Sequence, residues 1–179
     1  MNFKIGQKVS YPNHGVCKIE NIGKRKISED ATKFYSLRVL ANNSEIYVPT
    51  GNAESIGIRP IITGVQCRGL MEFLAKDFDE PEMDWKIRTR EFGEKLQTGD
   101  AFETAEVLKK LVFLARLKKL SFREQKMFEK AKFLIVSELA TACSKKDCQV
   151  EKQVDELLEA ACQKHDLEKV ELVFAATHW

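Results

Sequence analysis

The hydrophobic period of this chain changes near residue 61, and that change limits the folds it can adopt. Residues 1–60 alternate apolar and polar side chains in short runs between turn residues, which is typical of strands. From Ile61 onward, apolar residues recur at three and four positions, which is typical of amphipathic helices. The chain is therefore predicted to have an α+β fold, in which a strand-only part precedes a helix-only part.

The first part, residues 1–60, is predicted to be a small β-barrel. Pro49 ends a strand because it cannot donate to the ladder, and Gly23 predicts a bulge or a bend. Short strands this close in sequence, without helices between them, favour a strongly bent barrel. The predicted strands cover residues 8–11, 16–27, 34–40, 45–48 and 56–58.

The second part, residues 61–179, is predicted to be a helical domain with readable helix ends. Asp84 is expected to cap a helix that closes at Gly99, and Ser121 with Glu124 has the spacing of a capping box. These short elements favour an antiparallel helical arrangement. Two further segments are predicted here, an acidic linker near 76–83 and a tail from about 164 whose residues 167–179 pack as a last helix.

Composition excludes several classes of protein. The chain is 44% hydrophobic and 31% charged, as in ordinary globular proteins. Its longest apolar runs, such as residues 111–115, are too short to span a bilayer, and no hydrophobic leader follows Met1, so a cytoplasmic location is expected. Five scattered cysteines argue against a disulfide framework.

No constellation of residues predicts catalysis, a cofactor or a metal. None of the three histidines lies near a serine or cysteine arrangement of nucleophile and base, and no GxxxxGK[ST] phosphate loop is present. Cys143, Cys148, Cys162 and His165 resemble a zinc set. However, Cys148 and Cys162 bracket one helix and are therefore roughly 20 Å apart, so structural thiols are expected instead.

Charge is unevenly distributed along the chain. Residues 84–132 carry 13 lysines and arginines against 8 acidic residues, whereas residues 141–179 carry 5 against 8. An anionic partner would therefore bind the middle of the chain. The basic run 24–26 predicts either a solvated hairpin end or a contact with an acidic protein surface. The pairs 109–110 and 118–119 are predicted to be solvated helix faces.

The stretch 84–90 combines a tryptophan with three cations and, after Asp84, no acidic residue. An aromatic beside alternating cations can stack on a base and bind a phosphate backbone. Helical spacing places Trp85 on one stripe with Phe92 and Leu96, which favours a core position; the start of a helix can also overhang its core. Both interpretations stay open at this point. The three cations, all expected to point to water, are Lys86, Arg88 and Arg90.

The N-terminal motifs resemble a known family. Residues 3–9, Phe-Lys-Ile-Gly-Gln-Lys-Val, and residues 11–15, Tyr-Pro-Asn-His-Gly, are similar to the opening of the CarD/CdnL family of bacterial transcription regulators. The similarity extends over about 140 residues. Further matching positions are 48–49, 52–53, 57–59, Trp85, 94–96, 99–100, 105–107, 120–121, Glu124, 126–127 and 138–140.

The resemblance implies that the first part is a Tudor-like or SH3-like domain that docks on the β subunit of RNA polymerase. Arg25 falls at a position that the family uses for this contact. Tyr47 stands where relatives carry a basic residue before the Val-Pro pair, which puts one polymerase contact in question. The predicted polymerase-binding residues are Lys24, Arg25, Tyr47, Val48 and Pro49.

The resemblance also implies that the helical domain contacts promoter DNA without reading sequence. In the family, an exposed tryptophan at the start of a helix enters the minor groove at the upstream edge of the melted −10 region, and Trp85 matches it. A contact made only in the open complex would stabilise that state. The predicted DNA-binding residues are Trp85, Lys86, Arg88, Arg90, Lys126 and Lys130.

The protein is expected to be a monomer. Two other functions fit the pattern. One is a protein–protein adaptor that does not contact DNA, in which Trp85 is buried and the basic helix is merely solvated. Another is the polymerase-binding module of a repair helicase, present without the rest of that enzyme. This chain contains no ATPase motif, so it could not couple such binding to translocation.

Overall fold

In the computed structural model, which describes residues 2–27 and 30–176, five strands precede five helices. The α+β fold class is therefore confirmed. The strands are β1 Lys8–Tyr11, β2 Gly15–Ile27, β3 Asp30–Val39, β4 Glu45–Pro49 and β5 Arg59–Pro60. The helices are α1 Gly64–Ala75, α2 Trp85–Thr98, α3 Ala101–Leu117, α4 Phe122–Cys143 and α5 Asp147–Ala176.

The strands form one antiparallel sheet in the order β4-β3-β2-β1-β5, which leaves β4 and β5 at its edges. The bulge lies between Ile19 and Asn21 rather than at the predicted Gly23, which pairs regularly with Phe34. The extra residue, Glu20, accepts a hydrogen bond at 2.8 Å from Arg38 on the neighbouring strand. The short fifth strand begins after the predicted 56–58 because the backbone there turns.

The sheet has its own hydrophobic core. Alternate side chains of β2 and β3 face inward, so that Ile19 lies opposite Leu37 and both are fully buried. Burial of this apolar surface stabilises the sheet. The other buried members of this core are Phe3, Val9, Cys17, Tyr35, Val39, Val48, Ala53 and Ile58.

The helices pack around α3 and α4, and their predicted caps are confirmed. Asp84 accepts hydrogen bonds from the first turn of α2, and Gly99 closes that helix with a φ of 76°. Ser121 and Glu124 form both bonds of the capping box at the start of α4. The largest buried side chains of this core are Leu70, Leu74, Phe92, Leu108, Leu111, Ile135 and Leu139.

Two expectations about the helical part are wrong. The residues from 167 to 176 continue α5 rather than forming a separate last helix, because residues 147–176 contain no glycine or proline that would interrupt it. Lys109 and Lys110 are not solvated, since they are 1% and 7% exposed. Lys109 donates to the carbonyl of Phe73 at 2.6 Å, and burial lowers the pKa of this lysine to about 8.

The sheet and the helices are joined through one buried carboxylate. Glu138 of α4 accepts two hydrogen bonds from Arg59, at 2.5 and 2.9 Å, and one from the backbone N–H of Ile62 at 3.1 Å. Ser10 of β1 also donates to it, at 3.3 Å. A carboxylate with this many donors fixes the position of α4 against β1 and β5.

Two glycines allow the backbones of both parts to approach each other. A side chain added at Gly99 would place its Cβ 2.7 Å from Pro12 Cγ, and one at Gly57 would lie 2.8 Å from the carbonyl oxygen of Thr98. Both glycines have positive φ angles. The predicted acidic linker, residues 76–83, connects α1 to α2 within the helical domain.

Candidate nucleic-acid interface

Trp85 is the first residue of α2 and is 60% exposed. The core position that its spacing favoured is therefore wrong, and so is the buried Trp85 of the adaptor alternative. Phe92 and Leu96, which share its stripe, are 1% and 3% exposed because they lie in the later turns of α2. Residues 85–87 of α2 are exposed and precede its packed part, and Met83 is exposed beside Trp85.

Arg88 is buried, which corrects its predicted orientation toward water and its predicted phosphate contact. Its side chain is 2% exposed, and Nη2 donates to Glu124 Oε1 at 2.7 Å. Nη1 donates to the backbone carbonyls of Glu82, at 2.5 Å, and Met83, at 3.1 Å. Arg88 thus positions the segment before Trp85 and links the first turns of α2 and α4.

Glu124 is the buried partner of Arg88 and stays ionised. Burial alone would raise the pKa of its carboxyl group, but hydrogen bonds from Ser121 and Arg88 outweigh it and lower that pKa to about 2. The backbone N–H and the hydroxyl of Ser121 donate to Oε2 at 2.9 and 2.8 Å. The Nζ of Lys118 lies 3.7 Å from Oε1.

The other predicted DNA-binding cations differ in their exposure. Lys86 is exposed, with Nζ 5.7 Å from the centroid of the Trp85 ring. Arg90 is 73% exposed and lies 3.9 Å from Glu94. The side chain of Lys126 is 61% exposed and pairs with Glu129 at 2.9 Å. Lys130 is half-buried, and burial lowers its pKa.

Phe122 is an exposed aromatic residue that the sequence analysis missed. It is the first residue of α4 and is 80% exposed. The Nζ of Lys126 lies 5.8 Å from the centroid of its ring. The available signal was its position directly after the cap Ser121, because Trp85 likewise follows its cap Asp84 directly.

The predicted polymerase-binding residues lie on two strands. Lys24 and Arg25 belong to β2, and the other three belong to the edge strand β4. Lys24 is exposed and lines a depression with Tyr47, which is 38% exposed and donates to Glu45 at 2.6 Å. Val48 is 2% exposed, so its side chain belongs to the sheet core and does not reach the surface. Pro49 is partly exposed, and the side chain of Arg25 lies outside the described residues.

The four residues that resemble a zinc set do not gather into one ligand group in the part of the chain that the structure describes. Cys148 is exposed at the start of α5, whereas Cys162 is buried in the same helix. His165 bonds to Asp77 at 2.7 Å and stacks on Phe78, with ring centroids 4.6 Å apart. Across residues 2–27 and 30–176, no group of three potential ligands could hold a metal ion, and no helix is long and apolar enough to cross a membrane.

Comparisons with known proteins match both parts of the chain. Residues 3–62 match the CarD-like/TRCF RID domain family, and residues 69–155 match the CarD C-terminal domain family. The chain is 30% identical over 137 residues to the putative transcription factor YdeB of Bacillus subtilis (strain 168), covering 76% of this chain and 90% of that protein. The solution structure of the 72-residue N-terminal domain of Myxococcus xanthus CarD is 29% identical over 33% of this chain and 79% of that chain, with a TM-score of 0.29.

Proposed function

Since this chain belongs to the CarD-like family of transcription factors, we propose that it stabilises the promoter open complex by inserting Trp85 at the upstream edge of the melted −10 region. The observation that carries the proposal is the 60% exposure of Trp85 at the start of α2. When a large aromatic side chain leaves water and stacks on an unpaired base, the free energy falls. Aromatic and other apolar side chains inserted in minor grooves hold base steps apart in the same way.

The cations around Trp85 support binding to the phosphate backbone. Lys86 and Arg90 extend from α2, and Lys126 extends from α4. Their contacts with phosphates add affinity without reading sequence. Lys130 contributes less in this proposal because its half-buried ammonium reaches less far into solvent. Arg88 acts indirectly, by holding the two helices together.

The polymerase β subunit is the proposed docking partner of the sheet. Strand β4 is an edge strand, so its outer backbone groups are available to a strand from another protein. Lys24 of β2 and Tyr47 of β4 line one depression across this side of the sheet, and Pro49 ends the edge strand. In this arrangement Val48 contributes only its backbone.

The size of the proposed effect follows from the strength of stacking. One base–aromatic contact contributes about 1–3 kcal/mol, so its loss corresponds to roughly 5- to 150-fold in an equilibrium constant. If the contact exists only in the open complex, the free energy favours that state alone. Bubble collapse should then slow by a comparable factor.

The test is the lifetime of the open complex with purified RNA polymerase, in the presence of wild-type protein or Trp85→Ala. We expect Trp85→Ala to shorten the lifetime and Trp85→Phe to retain part of the effect. The control is Val65→Ala, which removes another exposed apolar side chain, 70% exposed in α1. An unchanged lifetime with Trp85→Ala would refute the wedge mechanism.

The docking surface has a separate readout. Capture of this protein by the isolated polymerase β subunit should fall for the double variant Lys24→Glu with Arg25→Glu. It should be retained for the double variant Lys86→Glu with Arg90→Glu, which makes the same change of charge in the helical domain. Full retention by the double variant would contradict the proposed docking face.

A further inference from the structure

Helices α2 and α4 begin with the same arrangement. Each has an exposed aromatic side chain as its first residue, Trp85 at 60% and Phe122 at 80% exposure. Each ring has a lysine ammonium within 6 Å of its centroid, from Lys86 and Lys126 respectively. Neither aromatic ring is buried in the protein, so neither is explained by the folding of the core.

A buried ion pair joins the two helix starts. Arg88 lies one turn after Trp85, and Glu124 lies two residues after Phe122; their side chains bond at 2.7 Å. Because this contact is short and both side chains are almost fully buried, at 2% and 4% exposure, the first turns of α2 and α4 pack directly against each other. The two exposed rings are therefore carried by adjoining helix ends.

The surroundings of Phe122 favour a polyanion as the occupant. The segment 116–123 contains Arg116, Lys118, Lys119 and Arg123 and no acidic residue. Lys118, Lys119 and Arg123 are exposed, and Glu124 is buried with its charge paired. A ligand with both phosphates and flat apolar faces would match a basic surface that carries aromatic rings, and unpaired DNA has both.

We infer that Phe122 is a second aromatic contact to DNA, which stacks on an unpaired nucleotide of the fork that Trp85 enters. The inference rests on the proposed function and extends it from one aromatic contact to two. Trp85, Lys86, Phe122, Arg123 and Lys126 together form what we call the aromatic–basic surface. Its cations bind the backbone, and its two rings bind exposed bases.

The experiment measures binding of the full-length protein to two labelled promoter probes at low salt, by fluorescence anisotropy. One probe is fully paired, and the other has the same length and a premelted fork. Phe122→Ala and Phe122→Leu should each weaken binding to the fork by about 5-fold or more. Phe122→Trp should retain fork binding because it keeps a stacking face, and binding to the paired probe should stay within about 2-fold. Val65→Ala should change neither.

Three outcomes would overturn the inference. The first is that Phe122→Ala keeps the wild-type affinity for the fork. The second is that Phe122→Ala loses affinity for both probes equally. The third is that Phe122→Leu binds the fork as well as wild type does. Trp85→Ala in the same assay tests the proposed function independently of the inference about Phe122. If Trp85→Ala loses the fork preference while Phe122→Ala keeps it, only the inference fails; if Phe122→Ala alone loses it, Phe122 stands and the wedge role of Trp85 fails.

Discussion

Replacing Arg88 separates a buried positioning role from a phosphate contact. Arg88→Ala removes one charge-assisted bond to Glu124 and two bonds to backbone carbonyls, and leaves a carboxylate that is 4% exposed without its arginine. Breaking a buried pair in this way costs about 3–5 kcal/mol. The bonds from Ser121 and the ammonium of Lys118 remain. We therefore expect the lower end, about 3 kcal/mol of the free energy of unfolding.

Urea unfolding and the salt dependence of DNA binding together distinguish the buried positioning role of Arg88 from a phosphate contact. Arg88→Ala should lower the free energy of unfolding, and a second change, Glu124→Gln, should restore part of it because a neutral amide costs less to bury than a charge. Arg90→Ala is the matched control: it should unfold like wild type and reduce the slope of log K against log salt by about 0.9 on duplex DNA. The reasoning would be refuted if Arg88→Ala reduced that slope and left stability unchanged.

Two further perturbations test other parts of the structure. The pKa of Glu124 lies below its ordinary value, so its contribution to stability is complete above pH 4.5 and lost as the pH falls toward about 2. Over this window, the free energy of unfolding measured with urea should therefore fall more for wild type than for Glu124→Gln. Gly99→Ala should lower the thermal midpoint because of its positive φ and the contact with Pro12, whereas Gly51→Ala, with nothing within 4 Å, should not.

Local chemistry made the helix ends predictable from sequence. Asp84 and the pair Ser121 and Glu124 act through bonds to backbone groups at most three residues away, so their spacing is sufficient. Gly99 acts through its own positive φ, which requires no distant partner. The change of period near residue 61 likewise separated the sheet from the helices. Both signals depend only on neighbouring residues.

Burial at the site depends on distant residues, and spacing could not predict it. Arg88 is buried because it meets Glu124, which is 36 positions away. Trp85 shares a stripe with Phe92, but only packing shows that the stripe leaves the core before it reaches the first turn. The burial of Lys109 also depends on a residue distant in sequence, because its partner is the carbonyl of Phe73 on another helix.

The buried contact between Arg59 and Glu138 has a mechanical consequence for Trp85, if Trp85 holds DNA strands apart as proposed. In the proposed mechanism, base pairs that re-form when a melted region closes would push the inserted ring outward, and an equal force would act on whatever supports it. Here that force would pass from α2 through the Arg88–Glu124 pair into α4, and from Glu138 through Arg59 into the sheet. A sheet fixed to a large enzyme could resist it, so weakening Glu138 would reduce the resistance to closure even with every DNA contact intact.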